Sequence, residues 1–305
     1  MSHIELTKIS NDPYADLIIQ KQSTIESITN IELLDISICT IQQRSSEDIS
    51  FYTKFDRMDY YVVCDGHGAK NRLGAGHVAY TIVHGYEDIL PLHQELYNNL
   101  NEINFDVSRN IDVIENTFKN YDMKMHTKQC FGGSCVCIIL VIDKKYIYLV
   151  NLGDSRACIW NETGILGKTV DHGYDNEDEK KRIRNFDGFL IFGRLFGVIS
   201  TFRAFGNWEL KLDKGIYIPD GALTSVPEIF MYSPTSKVSG VITSDSFRDI
   251  QMSPENLVKI INKCPSKREI GKNIVESVKY LSEKKGYYHC TSDDISVVYI
   301  ENLLK

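Results

Sequence analysis

Residues 62–70 read VVCDGHGAK, and Asp65 directly follows the apolar run that ends at Cys64. Two interpretations fit this stretch. Asp-Gly between apolar runs is typical of a type I′ hairpin turn. Alternatively, a carboxylate at a strand end, with flexible glycine joints on both sides of His67, suits a set of ligand-binding groups. The surrounding sequence has to decide between a turn and a binding site.

Length, charge and hydropathy exclude several classes of protein. The chain has 305 residues, 43% of them hydrophobic, which is enough for one large domain or two small ones. Its formal net charge is −7, and no basic stripe is visible, so no nucleic-acid partner is expected. The longest clean apolar run, residues 135–142, is too short to span a bilayer, so no membrane partner is expected.

The cellular compartment follows from the N-terminus and from short basic motifs. The first ten residues, MSHIELTKIS, contain no apolar signal-peptide core. These features predict a cytoplasmic protein. Access to the nucleus is left open, although no run of five or more Lys or Arg indicates nuclear import.

The eight cysteines lie mostly inside apolar stretches and form no Cys-x-x-Cys pair. A structural zinc site is therefore not expected, and most of the thiols are predicted to be buried and free. A cysteine phosphatase would need a thiolate in a Gly-rich loop that ends in Arg. Neither Cys64 nor Cys135 has that context, so both are predicted to be core residues.

Strand-like segments rich in Val, Ile and Tyr recur along the chain without a repeat or a linker. Short turns join 136–142 to 146–152 and 146–152 to 157–160, which favours antiparallel hairpins over a parallel α/β sheet. Helices are indicated over 106–126, after the cap Ser253, and from Ser266 to Lys285. These patterns predict an α+β fold with helices packed on antiparallel sheets. The strand-like segments are 37–42, 60–64, 136–142, 146–152, 157–160, 238–243 and 295–300.

Acidic residues lie beside several of the predicted strand ends. Taken singly, an aspartate there is most often a turn or cap residue. If these strand ends share one edge of the sheets, their carboxylates converge and cannot all stay ionised without a cation. Oxygen ligands of this kind select magnesium or manganese over zinc. The acidic residues are Asp65, Asp245, Asp293, Asp294, Glu47 and Asp48.

Eight segments match motifs of one known family, in the family's order. They are VVCDGHGA, GGSCVCIIL, VNLGDSRACIW, TVDHGYDNEDEKKRIRNFDG, GVISTFRAFGN, SVPEI, ITSDSFRD and TSDDISVVYI. Through these motifs the chain, from about residue 37 to residue 300, resembles a divergent member of the metal-dependent Ser/Thr protein phosphatases of the 2C type.

The resemblance implies a fold and a domain organisation. The implied fold is a four-layer α-β-β-α sandwich of two antiparallel sheets flanked by helices. A single catalytic domain would cover residues 37–305, with a flap around 171–197 where substrate choice would reside. Residues 1–36 form an N-terminal segment without a family motif, and YADLIIQK in this segment is a candidate for an added edge strand.

The resemblance also implies a site for two Mg²⁺ or Mn²⁺ ions, with a third ion as an option. Asp65 would bridge both ions, and the Gly66 carbonyl would bind one of them. Asp245 and Asp293 would complete the shell of the other ion.

Three further acidic residues have less definite roles in the implied site. Glu47 or Asp48 would hold the ion that the Gly66 carbonyl binds, partly through water, and the choice between the two residues is open. Asp154 matches the position of the additional ion. Its alternative interpretation is a hairpin-turn residue.

Two residues are candidates for the chemistry on phosphate. Arg44 is a candidate phosphate clamp, because its planar fork can bind two phosphoryl oxygens; the alternative is a surface arginine. His67 is a candidate general acid for the serine or threonine leaving group, although a lone histidine is usually structural. Asp65 belongs to the same catalytic set, and water activated between two metal ions would make a protein nucleophile unnecessary.

Several positions depart from the family motifs. The spacing from Arg44 to the pair Glu47-Asp48 is one residue shorter than usual. None of the other departures removes a direct metal ligand, and together they suggest altered flap and substrate contacts. They are Ala69 for Gly, Cys135 for Thr, Asn207 for Asp, Ser246 for Gly, Arg248 for an aromatic residue and Asp294 for Asn.

The resulting prediction is an enzyme, a phosphatase that hydrolyses phosphoserine and phosphothreonine in a phosphorylated protein substrate. The departures support an alternative, a catalytically impaired phosphatase-fold protein that acts as a binding or scaffold module. A third option is a two-metal hydrolase of a small phosphate ester. The oligomeric state is left open.

Overall fold

Apolar strands of this chain form two antiparallel sheets that lie face to face. The structure is a computed structural model, and it describes residues 16–18, 28–32, 35–41, 47–68, 77–213, 216–249, 252–264, 266, 269–285 and 293–305. The strands are β1 (Asp16–Ile18), β2 (Ile28–Glu32), β3 (Ile36–Ile41), β4 (Ile49–Lys54), β5 (Met58–His67), β6 (Gly133–Ile142), β7 (Tyr146–Leu152), β8 (Arg156–Asn161), β9 (Gly164–Lys168), β10 (Leu190–Ile191), β11 (Arg194–Leu195), β12 (Phe205–Gly206), β13 (Leu212–Asp213), β14 (Ile216–Tyr217), β15 (Glu228–Tyr232), β16 (Ser239–Thr243) and β17 (Ile295–Ile300). The helices are α1 (His77–His84), α2 (Leu92–Glu102), α3 (Asn110–Thr127), α4 (Glu177–Asn185), α5 (Ser246–Asp249), α6 (Pro254–Lys263) and α7 (Ile270–Lys285), with a 3-10 turn at Trp208–Leu210.

The first sheet has the strand order β1-β4-β5-β6-β7-β15, with β12 also paired to β6. The second sheet has the order β2-β3-β17-β16-β8-β9. Two short hairpins, β10-β11 and β13-β14, stand apart from both sheets. None of the helices in the described part of the chain is long and apolar enough to cross a membrane.

Three apolar layers hold the sandwich together, and neighbouring residues of β5 show how. Val62 and Val63 are both fully buried, and they point to opposite faces because side chains alternate along a strand. Val62 packs in the core between the first sheet and helices α1, α2 and α3. Val63 packs in the core between the two sheets. A third core joins the second sheet to α6 and α7, so the layer order is α-β-β-α and the expected fold class is confirmed.

The strand that contains Asp65 is longer than the predicted strand 60–64. β5 continues to His67 and stays paired with β6, with His67 opposite Gly133. The type I′ turn at Asp65-Gly66 is therefore the wrong interpretation of this stretch. The physical reason is that β6 begins early enough to offer backbone partners as far as His67.

One predicted hairpin is confirmed and the other is wrong. Residues 136–142 and 146–152 pair as an antiparallel hairpin, with Ile142 opposite Tyr146. The second predicted pair, 146–152 with 157–160, does not form, because β7 belongs to the first sheet and β8 to the second. The link at residues 153–155 crosses between the sheets instead of turning back within one.

The predicted helices form with shifted starts. Helix α6 begins at Pro254, and the Ser253 side chain accepts a hydrogen bond from the Asn256 amide, as the capping pattern predicts. The helix predicted over 106–126 is Asn110–Thr127. The helix predicted from Ser266 begins at Ile270.

Residues between β9 and β15 form a small unit with its own apolar core. Its helix α4 begins after Asn176, whose side chain accepts hydrogen bonds from the amides of Asp178 and Glu179. The Glu179 side chain is 3% exposed, and its carboxylate forms ion pairs with Arg182 at 2.9 Å and with Arg203 at 2.6 Å. The core residues of this unit are Ile183, Leu195, Ile199, Phe202, Ala204, Ala222 and Leu223. The division of the chain into a segment 1–36 and a domain 37–305 stays a prediction.

Candidate active site

The acidic strand ends meet at one edge of the sandwich. Cys64, at the end of the apolar run in β5, lies opposite Ile49 at the start of β4, which places Asp48 beside Asp65. In the second sheet, Ile41 lies opposite Ile295, so the end of β3 adjoins the start of β17. The end of β16 adjoins the same point, because the Ser244 amide donates to the Ser296 carbonyl.

The two sheets are joined at this same edge by the crossing link at residues 153–155. Leu152 ends β7 opposite Val136 in the first sheet. Arg156 begins β8 opposite Thr243 in the second sheet. The link that contains Asp154 therefore spans the edge at which both sheets present their acidic residues. Asp154 does not lie in a hairpin turn, so that alternative interpretation is wrong.

The carboxylates act on one another electrostatically. Burial raises the pKa of Asp65 well above its usual value, and four like charges raise it further, those of Asp48, Asp245, Asp154 and Asp293. The structure thus brings together the aspartates that the sequence placed at separate strand ends.

The same environment acts on Asp48. Burial, and then the charges of Asp294 and Asp293, raise its pKa, whereas a hydrogen bond from Ser296 lowers it. A carboxylate that is buried among like charges holds its proton more tightly, and a nearby cation reverses that effect.

The donor set suits a hard divalent cation. No three His, Cys, Asp or Glu side chains among the described residues stand in an arrangement that encloses an ion as they lie. The side chains that converge are nevertheless all carboxylates, and oxygen ligands are those that Mg²⁺ and Mn²⁺ prefer. Because the neighbouring carboxylates raise the pKa of Asp65 and of Asp48, binding of a cation would relieve the repulsion at these two residues. The residues present therefore fit such an ion.

Asp294 holds the backbone of the acidic pair in place. Its Oδ2 atom accepts hydrogen bonds from the Glu47 amide at 2.7 Å and from the Asp48 amide at 3.1 Å. The Ser246 hydroxyl donates to the Asp294 carbonyl at 2.6 Å. Two departures from the family motifs, Asp294 and Ser246, thus take part in one network that positions Asp48. An Asn at position 294 would offer a similar acceptor oxygen but no charge.

His67 lies at the end of β5 and is held by Asn207. The distance between His67 Nε2 and Asn207 Oδ1 is 2.8 Å. Gly133 makes this contact sterically feasible, since a Cβ atom there would lie 2.4 Å from Nε2 and 2.0 Å from Oδ1. Burial lowers the pKa of His67, and the hydrogen bond that its ring donates to Asn207 opposes this effect. Both residues belong to motifs quoted from the sequence, but their contact was not predicted.

Asp154 is buried beside Cys135. The Cys135 thiol donates to Asp154 Oδ1 at 3.2 Å. The neighbouring Gly153 has φ +120°, and a Cβ atom there would come within 2.3 Å of the sulfur. Burial raises the pKa of the Cys135 thiol, which keeps it protonated and disfavours a role as nucleophile. Of the seven described cysteines, all are free thiols and all but Cys264 are buried, as the sequence predicts.

Some predicted residues lie outside the described part of the chain, and some contributors were missed. Arg44 and Ala69 are outside the described residues, so their roles stay predictions. Two residues beside the site were not predicted from the sequence: Ser296, which hydrogen-bonds Asp48, and its neighbour Thr40. The signal that could have found them is a small hydroxyl residue inside an otherwise apolar strand.

Comparison with known proteins agrees with this architecture. The family model described as protein phosphatase 2C matches residues 38–285. A probable protein phosphatase 2C 2 of Paramecium tetraurelia is 31% identical over 103 residues, which cover 34% of this chain and 34% of that protein. A probable protein phosphatase 2C 4 of the same organism is 27% identical over 208 residues, covering 64% of this chain and 60% of that protein. The chain therefore spans only part of the length of these relatives.

Solved structures share the fold. A phosphatase from Toxoplasma gondii superposes with a TM-score of 0.67 at 14% identity, over 91% of this chain and 96% of that one. A serine-threonine phosphatase 2C from the same organism gives a TM-score of 0.58 at 17% identity, over 90% of this chain and 99% of that one. Since the family model covers most of the sequence, the chain belongs to the protein phosphatase 2C family.

Proposed function

We propose that this protein is a metal-dependent phosphatase that removes phosphate from phosphoserine and phosphothreonine residues of proteins. One observation supports the proposal above all others. Asp65 lies with Asp48, Asp154, Asp245 and Asp293 at one edge of the sandwich. This edge is inside the region that matches protein phosphatase 2C. Strongly perturbed carboxylates that share a site are typical of functional centres.

Two ions of Mg²⁺ or Mn²⁺ are the proposed cofactors. Asp65 would bridge them, and the Gly66 carbonyl would bind one. Asp245 and Asp293 would complete one shell. Divalent cations held there would lower the pKa of water and neutralise charge on the phosphoryl group.

In the proposal, the acidic pair Glu47-Asp48 would hold the ion that the Gly66 carbonyl binds. Asp48 is the better of the two candidates in the acidic pair. Its charge raises the pKa of Asp65, and its carboxylate accepts a hydrogen bond from the Ser296 hydroxyl. Glu47 contributes partly through water. Asp154 would hold an additional ion.

His67 is the proposed general acid. Its contact with Asn207 Oδ1 fixes the orientation of the imidazole ring. The ring would deliver a proton to the oxygen of the departing serine or threonine as the bond to phosphorus breaks. Arg44 keeps its predicted role as a phosphate clamp.

Hydrolysis of a phosphothreonine peptide tests the proposal. We expect release of phosphate with Mn²⁺, its loss with excess EDTA, and its loss by about 10²-fold or more in Asp65→Asn, since metal-ion catalysis is worth several kcal/mol. The matched control is Asp143→Asn, because Asp143 pairs with Arg57 at 2.6 Å in the β6–β7 turn, at the other end of these strands. This variant should keep the rate of the original protein.

The alternatives give different results in the same assay. A folded protein that binds the phosphopeptide but releases no phosphate would support a binding or scaffold module. Release of phosphate from a small ester but not from the peptide would support a small-molecule hydrolase. Either outcome contradicts the proposed protein phosphatase.

A further inference from the structure

Asp48 lies just before β4 of the first sheet, yet residues of the second sheet hold it. Its amide donates to Asp294 Oδ2 at 3.1 Å. Its carboxylate is hydrogen-bonded by the hydroxyl of Ser296 in β17. Both the backbone and the side chain of this acidic residue are therefore fixed from across the interface between the sheets.

Ser296 is itself rigidly placed. Its side chain is fully buried, and its amide donates to the Ser244 hydroxyl at 3.1 Å. Its carbonyl accepts the Ser244 amide, also at 3.1 Å. The end of β16 thus clamps the backbone of Ser296 on both sides, which leaves the direction of its hydroxyl as the remaining degree of freedom.

Two more hydroxyl groups continue the contact away from Asp48. The Oγ1 atom of Thr40 lies 3.0 Å from the Oγ atom of Ser296. The same Oγ1 atom lies 2.6 Å from the Oγ atom of Ser50 in β4. Thr40 is 4% exposed and belongs to β3 of the second sheet, so the Thr40–Ser50 contact ties the two sheets together beside the site.

The direction of these hydrogen bonds follows from counting protons. An ionised carboxylate only accepts, and each hydroxyl has one proton to donate. If Ser296 gives its proton to Asp48, then Thr40 has to donate to Ser296. Ser50 then has to donate to Thr40. The three hydroxyls form a chain that points toward the carboxylate.

We infer that the hydroxyl chain Ser50–Thr40–Ser296 positions the Asp48 carboxylate for a divalent cation, with Ser296 and Thr40 as positioning residues. The inference rests on the proposed function, since it assigns Asp48 to the cation site. Partners that orient metal ligands typically affect metal affinity by about 10- to 100-fold. The hydroxyl chain would also set the distance between the two sheets at the site. That distance matters because Asp65 comes from one sheet and Asp245 from the other.

Calorimetric titration with Mn²⁺ tests this inference without relying on turnover. Ser296→Ala should weaken Mn²⁺ binding by about tenfold or more. Thr40→Val, which has the same shape but no hydroxyl, should weaken it by a smaller factor. Thr40→Ser keeps the hydroxyl and should bind Mn²⁺ like the original protein.

Thr53→Val is the matched control. Thr53 is also a fully buried threonine of a sheet, and its hydroxyl has no hydrogen-bond partner within the described structure. It lies toward the other end of β4, opposite Tyr60. The Thr53→Val substitution should leave Mn²⁺ affinity unchanged.

Turnover gives a second measurement on the test variant. At saturating Mn²⁺, the turnover of Ser296→Ala should return toward the value of the original protein.

The outcomes separate the inference from the proposed function. Mn²⁺ affinities of Ser296→Ala and Thr40→Val within twofold of the original protein would overturn the inference alone. Equal weakening in Thr53→Val would also overturn it, since general loosening of the sheets would then be the cause. If the original protein binds no Mn²⁺, the proposed function fails and the inference fails with it.

Discussion

Two buried groups of charged residues in this protein behave in opposite ways. At the sheet edge, burial and the like charges of four other aspartates raise the pKa of Asp65. In the unit around α4, burial acts to raise the pKa of Glu179, but hydrogen bonds and charge from Arg203 and Arg182 lower it below 4.5. An added cation would stabilise the first group, whereas the second group already contains the cationic side chains of two arginines.

The comparison separates a binding site from a structural support. Like charges held together by the fold destabilise the metal-free protein, so they persist where a ligand needs them. Opposite charges with good geometry lock a segment in place. The sign of the pKa shift, rather than the number of acidic residues, therefore distinguishes the two regions.

The largest expected effect is on the free energy of unfolding, in the unit around α4 where Glu179 is paired with two arginines. Glu179→Ala would leave Arg182 and Arg203, 18% and 16% exposed, without their carboxylate. Removing one partner of a buried ion pair costs about 3–5 kcal/mol, and partial exposure of both arginines favours the lower end. Urea unfolding measures the loss.

The control for this change lies in the same turn of α4. Glu177 is 69% exposed and pairs with Lys180. Glu177→Ala should cost far less, because exposed ion pairs contribute little. Equal losses in the two variants would show that the contrast with the sheet edge is wrong.

The next effect is on turnover at the sheet edge. His67→Ala should lower the rate of peptide dephosphorylation by about 10²-fold, with Mn²⁺ affinity little changed, because His67 serves the leaving group and not the ion. Steady-state kinetics and calorimetry measure the two quantities. His84→Ala, on helix α1, is the control and should have no effect on either. Unchanged turnover in His67→Ala would remove His67 from the mechanism.

A smaller effect is expected on the stability of the metal-free protein. Asp65→Asn should raise the free energy of unfolding in EDTA, because the neutral amide is not repelled by the four neighbouring carboxylates that raise the pKa of Asp65. In Mn²⁺ the order should reverse, because binding stabilises only the original protein. Unfolding curves in the two buffers test this. A variant that is less stable than the original protein in EDTA would contradict the repulsion at this edge.

The smallest expected effect concerns pH. The pKa of Glu179 is lowered from 4.5 in the folded protein, so its ionised form contributes stability above that pH. This contribution is lost as the pH falls through the folded-state pKa. The stability gap between the original protein and Glu179→Gln should therefore narrow as the pH falls below 4.5. A gap that stays constant with pH would argue against the charge of Glu179 as its source.

Local signals predicted an α+β fold with helices packed on antiparallel sheets and acidic residues at several strand ends, whereas the four-layer sandwich was implied by the family resemblance. Asp65 and Asp245 each follow an apolar run, which identifies both as residues at strand ends. Their strands belong to different sheets, so the packing of the two sheets brings them together. The crossing of the chain between sheets after Leu152 was not predictable in this way. A link of three residues fits a hairpin equally well. The choice of sheet depends on the partners of β8 in β16, which lie 79 to 87 residues further along the chain.

The contacts that hold the site were also beyond sequence patterns. The contact of Thr40 with Ser50 depends on the distance between two sheets, and no local pattern encodes that distance. The hydrogen bond of His67 to Asn207 depends on how the chain returns to β6 after the α4 unit. A departure from a family motif marks such a position but does not name its partner.

The meeting of the acidic strand ends has a consequence for how the chain folds. Asp48 and Asp65 are near in sequence, but Asp245 and Asp293 join them only when β16 and β17 dock. Like-charge repulsion from Asp245 and Asp293 therefore opposes the step that closes these long loops, and contacts between distant parts of a chain already slow folding. Divalent cations in a refolding buffer should speed that step, so that the cofactor would also assist the assembly of the protein that binds it.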